Sequence, residues 1–182
     1  MMKPLLACLL LVVPAAANPE TATGASGQWT VSGSAEGCIA HSTSGHGTVV
    51  SILGAPGQED LVFLFQNNDW SALEDGGSYR LAVELDGRRS WEFDAVARTE
   101  LDSDGPGFVF SVSPGAEFVT QFAAARGMEF GSEGETLDNL SLTGGDTAIS
   151  GLANCMSSLI AGVADESEEG ETLLASGVGK RI

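Results

Sequence analysis

The run Leu61-Val62-Phe63-Leu64-Phe65 decides the fold, together with the two stretches behind it, Tyr79-Arg80-Leu81-Ala82-Val83-Glu84-Leu85 and Trp91-Glu92-Phe93-Asp94-Ala95. Successive side chains of an extended chain point to opposite faces. Tyr79, Leu81, Val83 and Leu85 therefore share one face, with Arg80, Glu84 and Asp86 on the other. Trp91, Phe93 and Ala95 lie opposite Glu92 and Asp94 in the same way. The pair Asp86-Gly87 between the two stretches is a strong hairpin signal, because both turn positions of such a loop take positive φ. The run at Leu61 is short, apolar and bounded by turn formers, which suits a strand buried on both faces. In order, the three stretches read as consecutive antiparallel strands, a meander at the centre of a β-domain.

Toward the N-terminus, strands are predicted at Gln28–Val31, Cys38–Ala40 and Thr48–Leu53, with loops at Ser32–Gly37 and His41–Gly47. Toward the C-terminus, Phe108–Val112 is a further strand. Ser113 can cap a helix that has Pro114 at its first position. Phe118, Phe122 and Ala125 fall on one helical face, Glu117 and Arg126 suit the two ends of the helix dipole, and Gly127 stops it. Met128–Phe130 and Thr136–Leu142 read as strands around the turn Gly131–Gly134. Asp146 is placed to cap a second helix with a stripe of Ala148, Leu152, Cys155 and Leu159, flanked by Ile149, Met156 and Ile160. The acids Asp165, Glu166, Glu168, Glu169 and Glu171 repel one another and predict a disordered tail. The expected architecture is one mainly β, sandwich-like, mostly antiparallel domain (α+β by another label) of about seven to nine strands, with two helices packed on it. It would occupy residues 28–162, between a flexible lead-in at 18–27 and an acidic tail at 163–182.

Met1-Met2-Lys3-Pro4, the apolar Leu5–Val13 and Pro14-Ala15-Ala16-Ala17 have the layout of a secretory signal peptide, with cleavage expected after Ala17. The apolar run is too short to cross a bilayer. Leu5-Leu6-Ala7-Cys8 is no lipoprotein signal, since almost no apolar segment precedes Cys8 and much follows it. The expected destination is the periplasm or the medium. Removing residues 1–17 would leave 165 of the 182 residues and would take the formal net charge from −17 to −18, because Lys3 is lost. Such a surface repels nucleic-acid phosphates and anionic membranes and favours cations and basic proteins. Cys38 and Cys155 then form an even pair in an oxidising compartment, and the helical stripe turns Cys155 inward, so a disulfide is expected between them.

The residues able to carry chemistry are few. His41 and His46 are the only histidines, close to Ser42 and Ser44 in one Gly/Ser-rich loop. A Ser-His hydrolase needs a nucleophile, a base and an orienting group, and no Gly-x-Ser-x-Gly elbow is present. Cys38, His41 and His46 could be drawn as zinc ligands, but their spacing matches no closed site. Glu100, Asp102 and Asp104 precede Gly105 as acids do in calcium loops, yet Glu stands first and Ser111 occupies the twelfth position. Paired carboxylates for a glycosidase carry no information among 25 acidic residues. No phosphate-binding glycine loop occurs, no cofactor is implied and no catalytic residue is assigned.

Trp29, Cys38, Asn67-Asn68-Asp69-Trp70, Tyr79, Trp91 and the closing Leu140-Ser141-Leu142-Thr143-Gly144, Leu152 and Cys155 form a pattern. It resembles small exported alphaproteobacterial proteins of unknown function and, more distantly, the invasion-associated locus B group. The resemblance covers roughly Trp29 to Ile160 and implies an exported β-rich layout with a strand–Gly–helix ending. Its motifs are structural, so no catalytic role is carried over. The expected function is a non-catalytic exported binding or envelope-associated module. An acidic inhibitor of a cationic hydrolase such as a lysozyme is the alternative, and a hydrolase the next.

Overall fold

The computed structural model describes the backbone of residues 23–26, 29–101 and 104–175, and side chains within 29–101 and 104–161. The expected signal peptide, most of the lead-in and residues 176–182 lie outside the described residues. The strands are β1 (Thr23–Ser26), β2 (Trp29–Ser34), β3 (Gly37–Thr43), β4 (Val49–Gly54), β5 (Leu61–Gln66), β6 (Ser78–Leu85), β7 (Arg89–Arg98), β8 (Gly107–Val112), β9 (Gly127–Ser132) and β10 (Glu135–Ser141). The helices are α1 (Glu117–Ala124) and α2 (Gly145–Ala175). All ten strands join in one sheet of order β1-β2-β3-β4-β5-β8-β7-β6-β9-β10, and every neighbouring pair is antiparallel. The mainly β class with two packed helices is the expected one.

The central meander is not. β5 pairs with β4 and β8, and the hairpin β6–β7 lies beyond β8, so β5 to β8 form a Greek key. The eleven residues between β5 and β6 are too long for a tight hairpin and carry the chain across the sheet end. There Gly76 and Gly77 exchange backbone bonds with Ala97 of β7. The Asp86-Gly87 hairpin is as predicted, with φ of 52° and 65°. Glu133-Gly134 turns β9 into β10 by the same device, at 54° and 85°.

Other boundaries shift for local reasons. Four residues of the expected flexible lead-in form β1, an addition to the expected strand count, held by backbone pairing of Thr23 with Val31 and of Ser26 with Trp29. Strand β2 continues through Ser32–Ser34 and β3 through His41–Thr43, because Gly33 pairs Cys38 and His41 pairs both Thr30 and Ser51. Ser113 does not cap α1: its carbonyl accepts the Ala116 N–H, making a turn with Pro114 at the second position, and the helix starts at Glu117. Ala125 caps the end, so Arg126 lies beyond the last turn and Gly127 already belongs to β9. α2 begins at Gly145, with Asp146 inside its first turn rather than at the cap. Its bounds extend to Ala175 and include the acidic run expected to be a disordered tail, whose Glu, Leu and Ala residues favour helix.

The sheet is strongly curled. Phe65 on β5 and Phe130 on β9 have ring centroids 4.8 Å apart, although four inter-strand steps separate them. A flat sheet would put roughly 19 Å between those strands. The concave face holds the core: Phe63 contacts Phe110, Phe118 and Phe122 at 5.4–5.5 Å. Phe118 reaches Phe93 and Trp91 from α1, and Phe122 meets Trp29. α2 packs on β2 and β3, with Ala148 and Leu152 buried and Cys155 bonded to Cys38. Gly33 sits against this disulfide, where an added Cβ would come within 2.5 Å of the Cys155 sulfur.

The Cys38–Cys155 bond closes 117 residues of chain, which in the chain-entropy model stabilises by about 4–5 kcal/mol. Cys38→Ala, Cys155→Ala and the double variant should therefore lose the same stability in urea unfolding, since each removes one bond. Gly33→Ala should destabilise the oxidised protein strongly and the double-alanine background far less. Equal costs in both backgrounds would refute the contact.

Candidate functional site

Two regions bring polar groups together. The first is the place where the curled sheet meets itself. Asp138 takes the inward phase of β10 with Leu140, and only 4% of its side chain is exposed. Its Oδ2 accepts the Ser44 hydroxyl at 3.0 Å, and Oδ1 lies 2.7 Å from His46 Nδ1 and accepts the Asn139 N–H. Thr48 supplies a further hydroxyl. Asn67 stands behind them, its Nδ2 donating to Thr48 Oγ1 at 2.9 Å and to the His46 carbonyl at 3.2 Å. Burial alone would push the Asp138 carboxyl up; the hydrogen bonds from Thr48, His46, the Asn139 N–H and Ser44 outweigh it and bring it below the usual value of 3.8.

This geometry sorts the histidine candidates. His46 is held by its Nδ1 while 76% of its side chain stays exposed, so Nε2 faces solvent. Ser44 Oγ accepts the N–H groups of His46 and Thr48 and gives its single proton to Asp138. The serine is therefore tied to the carboxylate and not to the imidazole, which is the opposite of an activated nucleophile. Ser42 is buried opposite Trp29 on the inner face of β3. His41, expected in a loop, is on the other face of that strand, while Cys38 faces inward into its disulfide. The drawn zinc set of Cys38, His41 and His46 is thus dispersed. Glu100 and Asp104 flank the β7–β8 turn, and Asp102 lies outside the described residues. Among the described residues no group of three or more His, Cys, Asp or Glu is placed to hold a metal ion.

The second region is the outer face of β6, β9 and β10. Glu84 and Glu129 are direct cross-strand partners, an arrangement of like charges that costs stability. Both line an open depression of about 350 Å³ with Asp86 and an adjoining hollow of about 150 Å³ with Glu135. Among the described residues neither is lined by a lysine or arginine. Nearby Arg80 is engaged by Glu92 at 3.3 Å and Asp94 at 2.9 Å. Asp86 is structural as well as acidic, since its Oδ1 accepts the N–H groups of Arg126 and Gly127.

No protein-family model, no curated protein and no solved structure matches this chain. The site residues that sequence reasoning missed are Asp138, Thr48 and Asn67. For Asp138 a signal existed: it is a carboxylate in phase with Leu140 and Leu142, where the alternation calls for an apolar residue.

Thr48→Val preserves shape while removing a donor to Asp138 and the acceptor of the Asn67 amide. It should cost about 1–3 kcal/mol in urea unfolding. A neutral substitution would mean that the network adds nothing to stability.

Proposed function

We propose that the protein is an exported, non-catalytic binding module whose acidic outer face engages a basic protein, in the periplasm or outside the cell. The observation that carries this is the Glu84–Glu129 opposition in a groove whose charged lining, among the described residues, is all acidic. Two like charges held face to face cost stability, and a cation placed between them recovers that cost. The formal net charge of −17 steers basic partners toward the whole surface, and the groove gives them a place to settle. Export accords with the signal-peptide layout of residues 1–17, and a disulfide is compatible with an oxidising compartment. The resemblance to small exported alphaproteobacterial proteins and to the locus B group points the same way. An inhibitor of a cationic hydrolase is the narrower form of this reading, in which the groove receives the enzyme's basic rim. Among the described residues no hydroxyl or thiol is bonded to the His46 imidazole, which leaves the hydrolase reading without a nucleophile–base pair.

The test uses the oxidised chain without residues 1–17, immobilised and exposed to hen lysozyme and to periplasmic extract at low and high ionic strength. Basic proteins should be retained at low salt and released at high salt. The double variant Glu84→Gln/Glu129→Gln should retain them at least about tenfold less well, and should be more stable by about 0.2–1 kcal/mol because the repulsion is gone. Loss of lysozyme activity on binding would select the inhibitor form. Retention indifferent to the double variant would sink the groove as the binding face.

A further inference from the structure

The curled sheet closes without a ladder. Among the described residues β10 pairs with β9 alone, and β3 and β4 pair with β2, β5 and each other. Six inter-strand steps separate β4 from β10. Among the described residues no backbone hydrogen bond joins β10 to the turn between β3 and β4. What joins them is one carboxylate, Asp138, taking donors from Ser44, His46 and Thr48 of that turn. Aromatic surface lies beside the seam. Phe130 is the register partner of Asp138, and Trp70 packs on it at 5.7 Å. The N–H of Trp70 in turn bonds the Asn67 carbonyl.

We propose that Asp138 is an acid-operated latch, whose protonation releases the edge strand β10 from the β3–β4 turn and opens the seam onto the aromatic interior at Phe130 and Trp70. A neutral carboxyl accepts hydrogen bonds more weakly than a carboxylate and carries no charge to hold the imidazole. The turn stays in place when this happens, because Asn67 holds the His46 carbonyl and Thr48 independently of Asp138. Among the described residues β10 has no second strand beside it. The body of the sheet keeps the Phe63 cluster and the Cys38–Cys155 bond, both remote from the carboxylate in register.

The groups facing Asp138 define the direction of the switch. From the β3–β4 turn the titratable partner is His46, beside the uncharged Ser44 and Thr48. From β9 the register places Phe130 opposite, and from β10 itself the neighbour is Asn139. The β5–β6 loop contributes Asn67 through Thr48, and Asp69, whose N–H bonds Asn67 Oδ1. The folded carboxyl titrates below the ordinary 3.8, so the latch contributes fully above that value and is lost as the pH falls through the folded pKa.

Hydrogen exchange of the oxidised chain without residues 1–17, corrected for the intrinsic rate at each pH, tests this. As the pH falls from 7 through the ordinary carboxylate range and below it, protection in 44–48 and 136–141 should fall, while β4, β5 and β8 stay protected. Asp138→Asn should show that pattern already at pH 7. His46→Ala changes an exposed side chain and is expected to fold; it should move the opening to higher pH. Binding of an apolar fluorescent dye should rise with the opening. Two results would overturn the latch: wild-type protection in Asp138→Asn at pH 7, or loss of protection in the whole sheet together at acid pH.

Discussion

The rest of the structure depends on a constraint of area. β5 presents Phe63 and Phe65 on one face, and a single flat sheet cannot take both out of water. The sheet therefore curls until β9 meets β5, and α1 fills the concavity with Phe118 and Phe122. Edge-to-face and offset contacts among these rings add to simple burial. The remaining features accompany the curl: a helix is needed inside it, the Greek-key crossing brings β8 beside β5, and a seam is left where the edge strand β10 approaches the β3–β4 turn.

That seam explains why the most buried acid of the described chain is polar by necessity. Two sheet margins that do not share a ladder leave side-chain groups facing each other, and an apolar filler would strand the hydroxyls of Ser44 and Thr48. One carboxylate with several acceptor sites meets them together. The outer face follows a different rule. There Asp86 and Glu129 each accept hydrogen bonds but no cation balances Glu84 and Glu129 among the described residues, and the two are held opposed by the registration of apolar neighbours such as Val83 and Met128 on the inner side. The two acidic regions thus have different physical standing: one is consumed in closure, the other faces solvent.

Much of the architecture is local information and was legible. The alternation in β6 and β7, the Asp86-Gly87 turn, the α1 face of Phe118, Phe122 and Ala125, and the inward aim of Cys155 are each set by a few adjacent residues. What was not legible is long-range. Strand order depends on where an eleven-residue loop lays the chain, and nothing within Asn67–Gly77 encodes that β8 rather than β6 will lie beside β5. The Asp138 site joins residues more than ninety positions apart, so its partners cannot be read from spacing, although the misplaced carboxylate itself could have been noticed. Pro114 shows a subtler failure: a proline suited to a helix start is equally suited to the turn that precedes one.

The disulfide has a consequence for the order of events. Synthesis runs from the N-terminus, so Cys38 emerges 117 residues before its partner. Every strand from β4 to β10 and all of α1 lie inside the covalent ring, and the ring cannot close until α2 has docked. The long-range pairings must therefore assemble without covalent help, a slow kind of search in which unpaired strands stay exposed. Once sealed, the ring cannot be parted by one backbone cut inside it. Its closure is a late mark that assembly has succeeded.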